Sequence, residues 1–141
     1  MNLYIVNLNK NFAILLYLLK LLCYNKIMIK EINIKEDFPP VDVAVALVER
    51  EIEVNKQFGD SIIKIIHGYG SHGIGGAIRL SVRNRLKELK NQHKIIDFIN
   101  GERFTTTVVE NMRIEENHKA QLYVDYNINS FNSGITIIII K

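Results

Sequence analysis

The 141-residue chain contains one cysteine, two prolines and no tryptophan. Because Cys23 has no second cysteine to pair with, an intrachain disulfide and a site built on several thiolates are both excluded. A reducing, cytoplasmic setting is therefore expected. A long apolar run is also missing, since residues 12–24 contain Lys20 and fall short of the roughly 20 residues that a membrane-spanning helix needs. We expect no association with a membrane.

The first 27 residues lack acidic side chains and differ in composition from the rest. A secretory signal peptide would require a small-x-small cleavage site after the apolar run, and no such site follows. We therefore predict that residues 1–27 form an apolar extension outside the folded domain, and that residues 28–141 form one domain, which their number suits. On this interpretation translation starts at Met28, directly before the first strand-like segment.

From residue 28 onward, the hydrophobic periodicity predicts a single α/β domain. Apolar residues recur at helical spacing in two segments and form short β-branched runs in others. The predicted order is a strand over residues 29–34, a helix that starts at residue 41 and is ended by Phe58-Gly59-Asp60, a central strand over 61–66, a helix over 74–92, a strand over 94–99 and a final strand over 135–140. The remaining residues, 101–133, give a mixed pattern, with a helix near 108–116 and either strand or loop over 121–126.

The most informative segment is a glycine-rich turn that follows the predicted central strand. Five of the eight glycines lie between residues 68 and 76, and glycine lets a backbone approach a ligand closely. The start of a helix directly after the turn favours anions. The residues that we predict to bind phosphate groups are Gly68, Tyr69, Gly70, Ser71, Gly73, Gly75 and Gly76. The ring of Tyr69 has two interpretations, which are stacking on a base and packing over the turn.

Charge is segregated along the domain. Residues 61–94 hold seven basic side chains and one acidic one, whereas residues 31–60 hold three basic and eight acidic ones. The basic residues that share one face of the predicted second helix are Arg79, Arg83, Lys87 and Lys90. Such a charge run is often only a solvated helix face. Here the face begins at the glycine turn, so we predict that it extends the phosphate-binding surface.

Nucleotide-binding motifs compete for the same turn. Residues 68–73 match the dinucleotide fingerprint G-x-G-x-x-G, but Asp97 lies in the middle of the next strand, farther on than the roughly 20 residues expected of a ribose-binding acid. A Walker A loop is excluded because no Lys-Ser or Lys-Thr follows the glycines. A regulator that binds a mononucleotide at the turn is an alternative, as is a protein-interaction module that docks through its acidic and basic helices.

The motifs around the turn resemble those of one family. Residues 67–70 read His-Gly-Tyr-Gly and, with residues 73–79, resemble the His-Gly-x-Gly motif of the Smr (small MutS-related) domain. Residues 40–41 resemble the start of that domain, and residues 132–137 resemble its closing Gly-x-Thr strand. The resemblance covers residues 29–141 and implies a two-layer α/β sandwich similar to the C-terminal domain of bacterial translation initiation factor three. It also implies nucleic-acid binding, with DNA-nicking or RNA-cleaving endonuclease activity in some members and ribosome-linked quality control in others.

The first motif of the family, Leu-Asp-x-His-Gly, is not matched. Asn33 stands where the aspartate is expected, and no histidine or glycine follows. Glu36 or Asp37 could replace the missing carboxylate, either beside His67 or as a ligand of a divalent cation. The alternative is that both only precede the first helix, where negative charge is favourable.

His67 is the candidate catalytic residue, because it ends the central strand where ligands bind in open α/β sheets. Its imidazole could act as a general acid or base toward a phosphodiester, or donate a hydrogen bond to phosphate. The four histidines do not show zinc-ligand spacing. If the protein cleaves phosphodiesters, a divalent cation is the cofactor that the sequence leaves open. The sequence thus predicts a nucleic-acid-binding Smr-like domain with DNA or RNA as partner, ribosome association as an implication of the resemblance, and endonuclease activity as an open question.

Overall fold

The computed structural model describes residues 12–19, 29–59, 61–70 and 74–140. A helix, α1, spans residues 12–19, and all its side chains are exposed. The rest of the predicted extension lies outside the described residues. Nowhere in these ranges is a helix both long and apolar enough to cross a membrane.

The elements of the domain confirm the predicted α/β class. Within the described ranges they are, in chain order, β1 (Lys30–Asn33), α2 (Val41–Phe58), β2 (Ile62–Ile66), α3 (Ile74–Asn91), β3 (Asp97–Asn100), a 3-10 turn (Gly101–Arg103), α4 (Thr106–Asn111), α5 (Glu116–Tyr123) and β4 (Ile135–Ile139). The third strand begins at Asp97 rather than at residue 94, because residues 94–96 form bends.

The prediction of one helix near residues 108–116 is wrong, because two short helices occupy this region. Thr105 starts α4, and its side-chain oxygen accepts a hydrogen bond from the N–H of Val108 at 3.2 Å. The helix stops at Met112, whose backbone is extended. The second helix, α5, takes in the first half of the segment that the sequence predicts as strand or loop.

The four strands of the described ranges form one sheet in the order β1-β2-β4-β3. β1 and β2 are parallel, whereas β4 lies antiparallel between β2 and β3. Ile66, the last residue of β2, pairs with Ile135, the first residue of β4. The glycine turn and the segment that precedes β4 therefore meet at the same edge of the sheet.

Apolar cores lie on both faces of the sheet. α2 and α3 cover one face, and the 3-10 turn, α4 and α5 cover the other. The buried residues of these coverings include Ala44, Val48, Ile52, Val82, Leu86 and Leu89 on the first face and Phe104, Val109 and Leu122 on the second. Each large apolar side chain buried in this way contributes about 1.5–3 kcal/mol. The family resemblance implies two layers, and the short helices add a third.

Helices α2 and α3 lie side by side on the sheet. In both helices, apolar residues three and four positions apart form the stripe that packs on the sheet. Gly59 ends α2, and its N–H donates to the carbonyl oxygen of Lys56 at 3.1 Å. Arg85 of α3 forms a 2.6 Å ion pair with Glu49 of α2. The ion pair and the shared apolar core hold α3 against α2.

A buried lysine interrupts the apolar centre of β2. Lys64 is 0% exposed, and its ammonium group donates to Glu31 at 2.9 Å, to Asp125 at 2.7 Å and to Asn127 at 2.9 Å. The same group lies 4.1 Å from the ring centre of Tyr126. Because an ammonium group has three donors, each donor of Lys64 has a partner. The segment after α5 is thus tied to the middle of the sheet by charge as well as by apolar packing.

Candidate nucleic-acid interface

Three loops meet at the edge of the sheet where β1 and β2 end. We call this region the turn edge, and it consists of residues 34–40, 67–70 and 131–134. The backbone N–H groups of His67 and Gly68 both donate to the carbonyl oxygen of Gly134, at 3.0 Å each. The structure therefore brings together the His-Gly-Tyr-Gly and Gly-x-Thr segments on which the family resemblance depends.

The turn requires glycine at two of its positions. Gly68 has a φ of 75° and Gly70 a φ of 87°, a left-handed region that residues with a side chain rarely adopt. A Cβ atom at Gly68 would also lie 3.4 Å from Cδ of Lys35. Gly76 differs, because it lies in α3 and a Cβ atom there would meet nothing within 4 Å. Gly75, another predicted position, is in the first turn of α3. Ser71 and Gly73 lie outside the described residues.

The side chain of His67 lies beneath the turn, with only 1% of the residue exposed. Its Nδ1 is 3.0 Å from the carbonyl oxygen of Gly68, and its Nε2 is 2.9 Å from Oγ1 of Thr136. Because a carbonyl oxygen can only accept, Nδ1 carries the proton and Nε2 accepts from the threonine hydroxyl group. Both ring nitrogens are therefore engaged within the protein.

Burial lowers the pKa of His67 from its ordinary 6.5 to about 4. The hydrogen bond to the carbonyl oxygen of Gly68 opposes this shift, while the positive charges of Arg83 and Arg79 add to it. The imidazole is thus neutral at pH 7. The residue that the sequence singles out for catalysis is placed as a support under the glycine turn, away from solvent.

Arg83 is engaged in an internal ion pair. Its two terminal nitrogens each lie 2.7 Å from an oxygen of Glu102, and its side chain is only 11% exposed. Its Nε donates to Oγ1 of Thr136 at 3.4 Å, and a terminal nitrogen donates to the carbonyl oxygen of Ser133 at 3.3 Å. Burial would raise the pKa of Glu102, but the hydrogen bonds from Arg83 lower it on balance. Arg83 therefore holds the segment before β4 in place from below.

The other members of the predicted basic face have different surroundings. Lys90 forms a 2.6 Å ion pair with Asp97, and Lys87 is exposed. Arg79 is half-buried and close enough to His67 to lower its pKa. The Nε atom of Arg79 is buried and has no hydrogen-bond partner in the part of the chain that the structure describes. The predicted face is therefore partly neutralised. Its two members close to the turn edge are Arg83, which donates to the carbonyl oxygen of Ser133, and Arg79, whose charge acts on His67.

Sequence reasoning misses several residues of the turn edge. Lys35 passes over Gly68, and the two neighbouring loops of the turn edge carry the exposed rings of Phe38 and Phe131. Lys35 follows β1 by two residues, and the rule that ligands bind at the carboxyl ends of strands would have pointed to it. Phe131 carries only the weak signal of an aromatic residue in a polar loop. The pairing of β2 with β4, which no local sequence pattern indicates, is what brings the segment of Phe131 to the turn edge.

The loop that stands in place of the first motif of the family is held by hydrogen bonds between its own residues. The side chain of Asn33 donates to Glu36 at 3.0 Å and accepts from the N–H of Lys35 at 3.2 Å. Asp37 is exposed, with a positive φ of 60°. In the described ranges, no group of three or more His, Cys, Asp or Glu side chains is arranged to hold a metal ion. The carboxylate of Glu36 is thus held by its own loop rather than beside His67.

The dinucleotide-binding interpretation finds no support in the sheet. Asp97 begins β3 instead of lying in its middle, and its carboxylate accepts from Lys90 and from the N–H of Phe98 at 2.8 Å. β2 has a parallel neighbour, β1, on one side only, and its other neighbour, β4, is antiparallel to both β2 and β3. Dinucleotide-binding halves are built from parallel strands.

Comparison with known proteins identifies a similar fold. No family model matches the sequence, and no curated protein matches it either. Among solved structures, the chain is similar to the crystal structure of the Smr domain of Thermus thermophilus MutS2, with a TM-score of 0.50 and 18% sequence identity. The match covers 80% of this chain and 99% of that domain. At this identity the likeness concerns the fold, and it confirms the Smr-like α/β architecture that the motifs predict.

Proposed function

We propose that this Smr-like domain binds nucleic acid, DNA or RNA, at the turn edge, chiefly through its phosphate groups. The observation that carries the proposal is the meeting of the left-handed glycine turn with the cationic side chain of Lys35 at the carboxyl ends of β1 and β2. A second cation, Arg79, is near enough for its charge to lower the pKa of His67. In open α/β sheets this is the edge at which ligands bind. The nucleic-acid binding that the motif resemblance implies agrees with this location.

Each part of the turn edge has a role in the proposed binding. Gly68 and Gly70 carry no side chain that would keep a phosphate group away from the backbone. Lys35 supplies a charge directly over the turn, and Arg79 supplies one from the first turns of α3, whose N-terminus favours anions. Arg83 and His67 hold the turn from below. Contacts of this kind give affinity and salt dependence but little base specificity.

The proposal is binding rather than cleavage by His67. A general acid or base must reach the proton that it transfers, and both nitrogens of this buried imidazole already have partners. The neutral ring instead joins the turn to β4. Cytoplasmic location and ribosome association, which the composition and the resemblance respectively suggest, belong to the same proposal and await localisation and ribosome co-sedimentation experiments.

Salt titration of binding tests the proposed contacts. Fluorescence anisotropy with labelled single-stranded RNA, single-stranded DNA and duplex DNA should show log affinity falling linearly with log salt concentration. Lys35→Ala and Arg79→Ala should each weaken binding and reduce the slope by about 0.7–0.9 per lost phosphate contact. Lys56→Ala is the matched control, since Lys56 lies in the last turn of α2 at the opposite edge. Wild-type affinity and slope in both turn-edge variants would overturn the proposal.

Incubation with the same nucleic acids, and with branched DNA, in the presence of magnesium or manganese separates binding from cleavage. We expect a retarded complex without cleavage products. Cleavage that disappears in His67→Ala, in a variant whose fold is verified by circular dichroism, would show that His67 is catalytic after all. Saturable, salt-insensitive binding of a mononucleotide, without binding of polynucleotides, would instead support the alternative function, a regulator that binds a nucleotide at the glycine turn.

A further inference from the structure

Each of the three loops of the turn edge carries an exposed aromatic side chain. Phe38 is 69% exposed, Tyr69 is 63% exposed and Phe131 is 66% exposed. A single exposed apolar side chain is ordinary on a protein surface. These three rings, however, come from three loops of distant sequence that meet at one edge of the sheet. Such a concentration of exposed apolar surface is typical of a binding site.

Two of these aromatic residues also have an unfavourable backbone conformation. The φ angles of Phe38 and Phe131 are 45° and 53°, in the left-handed region that bulky side chains rarely occupy. Residues that are strained in this way are concentrated at binding sites, where the surrounding structure holds them in place.

The contacts of the turn edge bring together the segments that carry these aromatic residues. The ring of Tyr69 lies against Gly134, where an added Cβ atom would be 3.4 Å from Cζ of the tyrosine. Phe131 precedes Gly134 by only three residues, which limits the separation of their Cα atoms to about 11 Å. On the other side of the turn, the N–H of Phe38 donates to the carbonyl oxygen of Lys35 at 3.3 Å. The three loops that carry these aromatic residues thus meet beside the Lys35 side chain that passes over the glycine turn.

We propose that the turn edge selects single-stranded nucleic acid by stacking unpaired bases on Tyr69 and Phe131, with Phe38 as a further platform. This inference rests on the proposed nucleic-acid binding and adds the class of substrate. Aromatic platforms beside cationic side chains are how proteins hold single strands without sequence preference. In a duplex the faces of the bases are stacked on one another, so a duplex can offer only its phosphates to Lys35 and Arg79. Single-stranded RNA and DNA share the required chemistry.

A comparison of four labelled ligands tests the role of the bases, with the full chain at one salt concentration. The ligands are an oligouridine, an oligothymidine, an abasic strand and a duplex. Each is about 15 nucleotides long, which is the upper end of known single-strand site sizes. We expect the two base-bearing strands to bind about tenfold more tightly than the abasic strand and the duplex. Tighter binding of the uridine strand would identify RNA as the ligand, and tighter binding of the thymidine strand would identify DNA.

Variants of the aromatic residues separate stacking from folding. Tyr69→Ala and Phe131→Gly should each weaken binding of the base-bearing strands about tenfold and leave the abasic strand and the duplex unaffected. Glycine at position 131 adopts the observed φ without strain, so the melting temperature of this variant should be no lower than that of the wild type. Tyr69→Phe should bind like the wild type. Phe58→Ala is the matched control, because Phe58 is 78% exposed at the end of α2, on the opposite edge of the sheet.

The outcomes distinguish this inference from the proposed function. Equal binding of the abasic and base-bearing strands, or wild-type binding by both Tyr69→Ala and Phe131→Gly, would overturn base stacking and leave nucleic-acid binding intact. Binding of none of the four ligands would overturn the proposed function itself, and the inference with it.

Discussion

The hydroxyl group of Thr136 donates a hydrogen bond to Nε2 of His67 across 2.9 Å. The pair joins the end of β2 to β4 and fixes the imidazole in its neutral form, with its other nitrogen donating to the carbonyl oxygen of Gly68. The glycine turn therefore rests on a neutral, buried ring. Protonation of that ring would remove the acceptor that Thr136 requires, and acid should loosen the turn.

Stability should fall as the pH is lowered from 6.5 to 4. The unfolded chain binds a proton at His67 near pH 6.5, whereas the folded protein does so only near pH 4. The contribution of the neutral ring is therefore complete above pH 6.5, and up to about 3 kcal/mol of the free energy of unfolding is lost across this window. Urea denaturation at a series of pH values measures this loss.

Two histidine variants make that pH experiment specific. His67→Gln should flatten the dependence of the free energy of unfolding on pH between 4 and 6.5. His93→Gln, at an exposed position after α3, should retain the wild-type curve. Curves of equal slope for the wild type and His67→Gln would mean that the buried imidazole does not titrate as we infer.

Arg83 and Lys87 should differ in their effect on stability, although both were predicted to form one basic face. Arg83→Lys keeps the positive charge but cannot form the two parallel hydrogen bonds to Glu102. We expect it to lower the free energy of unfolding by about 1–2 kcal/mol. Lys87→Ala should leave the free energy of unfolding unchanged, because this side chain is exposed. Chemical denaturation of both variants provides the comparison, and an unaltered Arg83→Lys protein would contradict it.

Replacement of the buried ammonium group of Lys64 should lower the free energy of unfolding substantially. Lys64→Met leaves the carboxylate of Asp125, whose side chain is only 6% exposed, without its cationic partner. The loss of one member of a buried ion pair costs about 3–5 kcal/mol. The control is Lys56→Met, since the ion pair of Lys56 with Glu53 lies on the surface. Equal urea midpoints for the two variants would show that the buried pair is not required.

Two glycine positions should respond in opposite ways to alanine. A Cβ atom at Gly101 would lie 1.9 Å from the carbonyl oxygen of Asn132, so Gly101→Ala must displace the backbone before β4 and should markedly reduce the melting temperature. A Cβ atom at Gly76 meets nothing within 4 Å. In the helix, Gly76→Ala should therefore leave stability unchanged or raise it by about 0.5–1 kcal/mol. A wild-type melting temperature for Gly101→Ala would contradict the close packing of this turn.

Periodicity predicts those elements whose burial pattern is regular. The apolar runs of β2 and β4 and the stripes of α2 and α3 follow from the spacing of side chains along the chain. The short helices α4 and α5 have no such stripe. α4 depends on the cap at Thr105, and both helices depend on packing against the sheet. The antiparallel insertion of β4 between β2 and β3 cannot be read from local sequence, because it depends on contacts between distant segments.

The same limit applies to the candidate site. The glycine turn is visible in the sequence because its residues are consecutive. The pairing of Arg83 with Glu102, and the burial of His67 against Thr136, depend on residues that lie far apart along the chain. Helical spacing placed Arg83 on an exposed basic face, whereas the fold places a carboxylate against it.

The central claim, nucleic-acid binding at the turn edge, is tested most directly by NMR. The full chain, labelled with ¹⁵N, would be titrated with unlabelled oligouridine and oligothymidine, and the backbone amide signals of the glycines followed. We predict that the signals of Gly68, Gly70 and Gly134 shift, while that of Gly59, at the opposite edge, stays in place. Shifts confined to Gly59 and the adjacent end of α2, or no shifts at all, would contradict the claim.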